Sequence, residues 1–184
     1  MNSKSRIILD EKEIDRALSR MAHEIIEKNK GIDKLCLVGI RTGGVPLANR
    51  LQKKIAKIEG GILPPVGVLD ITLYRDDWSN LSQHPIIRKT EIPFSIDDKN
   101  IVLVDDVIYT GRTIRAALDA LIDYGRPSKI ELAVLVDRKR RELPIQPDFA
   151  GLSISTSRDE HINVYLKEIS GRDEVILEKS KDEP

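Results

Sequence analysis

Two adjacent carboxylates at the end of an apolar run are the residues of this chain best suited to chemistry. Ile101-Val102-Leu103-Val104 reads as a buried strand, and Asp105-Asp106 follow it directly. Val107-Ile108-Tyr109-Thr110-Gly111-Arg112-Thr113 comes next, a short loop rich in hydroxyl groups and glycine that runs into a helix. At a helix N-terminus the backbone N–H groups of Thr110 to Thr113 face outward, where unpaired donors and the helix dipole favour a phosphate. Gly111 permits close backbone approach, and the Thr110 and Thr113 hydroxyls add two donors. Asp105 and Asp106 are then placed to accept hydrogen bonds from vicinal sugar hydroxyls. The spacing therefore offers a grip on a sugar phosphate. Either half alone is a common structural feature, a strand ending in acids or a capped helix; the ordered combination carries the information. Neither GxxxxGK[ST] nor GxGxxG occurs in the chain, which removes the common nucleotide-fold competitors.

The elements that must position these residues alternate. Asp10 and Glu13 form a plausible capping pair for a helix whose apolar positions Ile14, Leu18, Met21, Ala22, Ile25 and Ile26 share one face, with Gly31 as its stop. Leu35 to Ile40 reads as a strand buried on both faces. Arg41-Thr42-Gly43-Gly44 is a turn, followed by a helix to about Ile58 with Pro46 in its first turn. Further strands are expected at Val66–Tyr74 and Ile130–Val136, a helix at Thr113–Tyr124, and shorter strands near Ile154, Ile162 to Ile169 and Val175 to Leu177. Residues 75 to 90 are polar and aperiodic, a long loop of the kind that serves as a lid or stays disordered. Helices alternating with doubly buried strands imply right-handed crossovers and a mainly parallel twisted sheet flanked by helices, an α/β fold. Ligands of such sheets bind beyond the carboxyl ends of the strands, so the turns after Ile40, Tyr74, Val104 and Val136 should converge. We expect one domain over residues 1–178 and a flexible tail over 179–184.

Composition narrows the function classes. The 184 residues are 40% hydrophobic and 33% charged, enough apolar matter for one core. Leu132-Ala133-Val134-Leu135-Val136 is far short of the ~18 apolar residues of a spanning helix, and no signal peptide is expected. With Cys36 as the single cysteine, no disulfide can form within the chain, and a cytoplasmic location is expected. Thirty basic and thirty acidic side chains cancel, and one Trp, four Tyr and two Phe make a poor base-stacking platform. Any nucleic-acid contact must come from a local basic face. His23, His84 and His161 lie too far apart for a short metal motif.

Ile101 to Thr113 resembles, over all thirteen positions, the phosphoribosyl-diphosphate (PRPP) binding motif of type I phosphoribosyltransferases. Asp70-Ile71-Thr72-Leu73-Tyr74-Arg75-Asp76-Asp77, Val107 to Thr113, and Val136-Asp137-Arg138 followed by Arg141-Glu142-Leu143-Pro144-Ile145 extend the likeness over nearly the whole chain to the pyrimidine operon regulatory proteins. That resemblance implies the type I phosphoribosyltransferase fold, with a small hood from the terminal segments and a flexible loop. It implies uracil phosphoribosyltransferase activity, from uracil and PRPP to UMP and diphosphate, with magnesium accompanying PRPP and possibly touching Asp105 and Asp106. It also implies regulation by UMP or UTP through binding of pyrimidine-operon leader messenger RNA, transcriptional attenuation, and assembly into homodimers or homotetramers. Residue by residue, Arg41, Thr42, Gly43 and Gly44 match the diphosphate loop. Arg75 stands at the start of the mobile loop, where it can cover the diphosphate. Arg138 and Val164 match nucleotide contacts, though Val164 also suits hood packing. Purine-using relatives generally carry an aspartate at position 109; a phenol, with its ordinary pKa near 10, cannot replace it at neutral pH, so Tyr109 favours a pyrimidine.

The sequence also departs from the family pattern. Glycine-histidine-arginine-glutamate-leucine-proline-isoleucine-arginine is expected after the Asp-Arg pair, and Lys139-Arg140-Arg141-Glu142-Leu143-Pro144-Ile145-Gln146 stands there. Glycine-lysine-asparagine-isoleucine-proline-threonine-serine appears as Gly151-Leu152-Ser153-Ile154-Ser155-Thr156-Ser157. Lys139, Arg140 and Arg141 remain as a compact basic cluster for RNA phosphate. Two alternatives stay open at this point: a salvage transferase without RNA function, and a nucleotide-sensing regulator with vestigial catalysis.

Overall fold

The structure, a computed structural model, describes residues 5–74 and 89–179. A 19-residue helix, α1 (Glu11–Asn29), opens on the expected reciprocal cap: the Glu13 N–H donates to Asp10 Oδ1 at 2.8 Å and the Asp10 N–H to Glu13 Oε2 at 2.9 Å. It closes one residue before the expected glycine, on Lys30 in the left-handed region (φ 55°), with the Lys30 and Gly31 N–H groups returning to Glu27 and Ile26 carbonyls. Its stripe of Ile14, Leu18, Met21, Ala22 and Ile25 is buried, as the spacing predicts.

β2 (Leu35–Ile40), α2 (Gly44–Ile58), β3 (Val66–Leu69), β4 (Asn100–Ile108), α3 (Arg112–Ile122), β5 (Lys129–Asp137) and β6 (Phe149–Ser153) follow. The strands form one parallel sheet in the order β3-β2-β4-β5-β6. Both faces are covered. Leu37, Val102 and Val104 pack with α1 and α2, whereas Cys36, Val38, Ile40, Ile101 and Leu103 pack with α3. This two-sided burial is why β2 and β4 do not alternate in sequence. Ser5–Leu9 (β1), Glu160–Tyr165 (β7) and Glu174–Lys179 (β8) build a separate antiparallel sheet, β1-β8-β7, with a short helix α4 (Lys167–Ser170) between β7 and β8. This sheet is the hood expected from the terminal segments. Among the described residues no helix is long and apolar enough to cross a membrane.

Several boundaries differ from the sequence reading for local reasons. β3 stops at Leu69 rather than Tyr74, because Asp70 Oδ1 accepts the Thr72 N–H and hydroxyl and turns the chain into a 3-10 turn over Thr72–Tyr74. β4 continues past Val104 to Ile108, so the acidic pair lies inside the strand, with Asp105 opposite Val134 on β5. The strand expected over Ile162 to Ile169 ends at Tyr165, and α4 takes its last residues. β8 includes Lys179, and residues 180–184 lie outside the described part.

The topology fixes where a ligand can go. From β2 the chain crosses through α2 to β3 on one side; from β4 it crosses through α3 to β5 on the other, over the opposite face. The two connections leave neighbouring strands in opposite directions, opening a crevice between the carboxyl ends of β2 and β4. The loops after Ile40 and Ile108 border it.

Candidate active site

Two helices aim their positive ends at that crevice, and neither carries an acid in its own first turn. The N-caps of α2 and α3 are Gly43 and Gly111, which offer no capping side chain, and no acidic residue stands in the first turn of either helix. By contrast α1, which does not start at the crevice, has a full capping box and Glu11 and Glu13 in its first turn. A helix start with no capping side chain and no acid in its first turn leaves backbone N–H groups available to an anionic group. Gly111 adopts φ 95°, and the Arg112 N–H reaches the Thr110 hydroxyl at 3.4 Å, which curls the loop before α3.

Glycines let the two loops meet. A Cβ on Gly44 would lie 2.1 Å from the Val104 carbonyl oxygen, and one on Gly43 would lie 2.3 Å from Asp106 Oδ2. The N-terminus of α2 is thus seated on the end of β4, and the Arg41–Gly44 loop touches the acidic pair. The Arg41-Thr42 peptide is cis. Arg41 sends Nη2 to the Lys89 carbonyl at 3.3 Å, while its Nε is buried without a partner among the described residues.

Asp105 is buried and its Oδ1 accepts the Asp106 N–H at 2.9 Å; Asp106 Oδ1 accepts the Val107 N–H at 2.8 Å. Burial pushes the Asp106 carboxyl up, against the pull of those backbone donors. Two adjacent carboxylates form the donor set that magnesium takes when substrate oxygens complete its shell. Among the described residues no group of three or more His, Cys, Asp or Glu could hold a metal alone.

Tyr109 follows on the far side of the acids. The Arg138 guanidinium lies over its ring at 3.9 Å from the centroid. Arg138 is buried, and burial lowers its pKa; its Nε donates to Thr156 Oγ1 at 3.0 Å and its Nη2 to the Glu160 carbonyl at 2.5 Å. Arg138 therefore ties the loop of Tyr109 to the start of hood strand β7. Val164, on the same strand, packs against the larger core cluster.

The basic cluster divides. Lys139 is exposed and Arg140 half-buried, but Arg141 points inward. It donates to Asp137 Oδ1 at 2.6 Å, to the Tyr109 carbonyl at 2.9 Å and to the Ile145 carbonyl at 2.7 Å. The Glu142 and Leu143 N–H groups donate to the Thr110 carbonyl, and Arg112 pairs with Glu142 at 2.7 Å. Segment 139–146 is thus joined to the loop before α3.

Of the expected residues, Arg41 to Gly44, Asp105 to Thr113 and Arg138 lie around one crevice. Arg75 lies outside the described residues. Asp137, Thr156 and the Glu160 carbonyl were not singled out from sequence. Asp137, beside Arg138 at the end of an apolar strand, carried a signal; a threonine in a turn and a backbone carbonyl carry none.

The phosphoribosyl transferase domain family matches residues 5–169. Proteins named bifunctional protein PyrR are similar over most of their length: 62% identical in Acetivibrio thermocellus, over 89% of each chain, and 53% identical in Deinococcus radiodurans, over 99% of each. Among solved structures, the hypoxanthine phosphoribosyltransferases of Trypanosoma cruzi (TM-score 0.71, 17% identity, 96% of this chain and 97% of that one) and Staphylococcus aureus (0.69, 20%, 98% of each) share the fold. The chain belongs to the phosphoribosyl transferase domain family, in the branch whose members are called bifunctional protein PyrR.

Proposed function

We propose that this protein transfers the phosphoribosyl group of PRPP to N1 of uracil, and that it regulates pyrimidine operons by binding their leader RNA in response to uridine nucleotides. The observation that carries the first half is the meeting of two glycine-capped, acid-free helix N-termini with paired aspartates at one switch point. In this reading the 5-phosphate sits on the N–H groups and hydroxyls of Thr110 to Thr113. Arg41 and the start of α2 hold the diphosphate. Asp105 and Asp106 accept from the ribose hydroxyls, and Val107, Ile108 and Gly111 bring the backbone close. Arg112 braces the loop through Glu142. Tyr109, supported by Arg138, presents its ring to the base, with β7 and Val164 on the hood side.

The reaction needs positioning and charge more than a nucleophile on the protein. The N1–C1′ bond forms as the bond from C1′ to the diphosphate oxygen breaks; the electron pair leaves with diphosphate, and the N1 proton is released to water. Positive charge develops on the ribose, beside Asp105 and Asp106, while Arg41 and the α2 N–H groups receive the leaving group. Asp105 and Asp106 would hold magnesium together with PRPP oxygens, and the ion's charge then offsets that of the departing diphosphate.

Residues 1–178 act in this reading as one unit of core and hood, working in the cytoplasm as a homodimer or homotetramer. Lys139 and Arg140 are the cations left to face RNA phosphate. The inward turn of Arg141 favours a second reading, a salvage transferase without RNA function. Incubation with PRPP, magnesium and each nucleobase tests the enzyme: UMP forms from uracil, and faster turnover of hypoxanthine contradicts the assignment. Filter binding of pyrimidine-operon leader RNA with and without UMP separates the two readings. Nucleotide-dependent, sequence-selective binding supports the regulator; sequence-blind binding leaves the salvage enzyme.

A further inference from the structure

The hood meets the core through an apolar seam, where Leu166 and Val175 join the cluster of α1 and α2, and through charged side chains that converge on α2. Arg50 lies six residues after Gly44, a rise of about 9 Å along the helix from the crevice. Its guanidinium donates from Nε to Glu168 Oε1 at 2.8 Å, and from Nη2 to Glu168 Oε2 at 2.6 Å and Asp173 Oδ1 at 2.7 Å. Asp173 Oδ1 also accepts the Lys167 N–H at 2.8 Å, and Lys167 pairs with Glu11 on α1. These acids bracket α4, the link between β7 and β8. At its other end β7 is held through the Glu160 carbonyl by Arg138, which lies against Tyr109. Beyond the packing of Ile162, Val164 and Leu166 on the core, polar contacts hold the strand at both ends: beside the base-side loop, and through α4 from the helix that starts in the diphosphate loop.

An exposed ion pair would contribute little. Arg50 is different in geometry. Its side chain is only 20% exposed and Asp173's only 7%, and a planar fork engaged at three acceptor contacts fixes direction as well as distance. Hydrogen bonds donated to Glu168, foremost, raise the Arg50 pKa, so the cation persists throughout the working range.

We propose that Arg50 is a positioning residue for the nucleobase half of the reaction: it fixes hood strand β7 relative to α2 and so sets the width of the slot between β7 and Tyr109. This rests on the uracil phosphoribosyltransferase reading. The PRPP half is seated within the sheet, by Gly44 on the Val104 carbonyl and by the acids on β4. Loss of Arg50 should consequently separate the two substrates.

The test is initial-rate kinetics with both substrates varied. Arg50→Met, which keeps length and helix propensity, raises the uracil KM by about tenfold or more and leaves the PRPP KM within about twofold, since a shift near 1 Å in a positioned group has effects of this order. Arg50→Lys, a cation without the fork, falls between wild type and Arg50→Met. Glu168→Gln moves the uracil KM the same way by roughly two- to fivefold, and carries the test if Arg50→Met does not fold. A uracil KM unchanged within twofold, or parallel rises for uracil and PRPP, overturns the proposal. Either result differs from a wild-type protein that makes no UMP, which overturns the transferase reading on which the proposal stands.

Discussion

Asp106 sits where Gly43 leaves room for it, and burial pushes its carboxyl up. An acid whose pKa is raised on folding keeps, in the native state, protons that the unfolded chain has lost. Stability then falls as pH rises from the ordinary aspartate range through the raised value. Asp106→Asn removes this cost while its amide oxygen still accepts the Val107 N–H. It should therefore raise the melting temperature near pH 7, with the gain shrinking as the pH approaches the ordinary carboxyl range. The double change Asp105→Asn with Asp106→Asn should cost about 100-fold or more in turnover while circular dichroism shows a native fold. Collapse of that variant would make the pair structural. Asp105-Asp106 and Gly111 were legible in sequence because strand, acids, glycine and helix start follow one another within thirteen residues. The support of Tyr109 was not, because Thr156 and Glu160 reach Arg138 only through the tertiary fold.

At the scale of elements, α2 is held against β4 by the absence of one carbon atom. A Cβ at Gly44 meets the Val104 carbonyl oxygen at 2.1 Å, backbone against backbone, so neither side can yield by a rotamer change. Gly44→Ala should cost about 1–3 kcal/mol in denaturant unfolding and raise the PRPP KM as the helix N-terminus lifts from the crevice. Lys30, left-handed at the end of α1, predicts the opposite sign: Lys30→Gly should gain about 0.5–1 kcal/mol by the same measurement, with activity unchanged. The helices were readable from their apolar stripes, and β2 from its unbroken run. The extent of β4 was not, because Asp105 and Asp106 look like a strand's end and only the pairing of Asp105 to Val107 with β5 carries the strand through them. β1 was hidden for a related reason: its partner strand among the described residues, β8, lies at the other end of the chain.

Over the whole molecule the charges balance, so any RNA-binding face is local. Lys139 and Arg140 stand on the segment hydrogen-bonded to Thr110, next to the proposed phosphate site. Lys139→Gln with Arg140→Gln should weaken leader RNA binding and lower the slope of log affinity against log salt by about 1.5, leaving UMP synthesis unchanged. An unaltered slope would move the RNA contact elsewhere. Membership of the family fixes the architecture; the crevice between β2 and β4, with its two glycine-capped helix starts and one acidic pair, is the proposed seat of PRPP. A crystal structure of the complex with PRPP and magnesium examines this directly. The 5-phosphate is expected on the Thr110–Thr113 amides, the diphosphate on Arg41 to Gly44, and the ribose hydroxyls on Asp105 and Asp106. PRPP bound away from the crevice, or with its diphosphate turned from the start of α2, would contradict it.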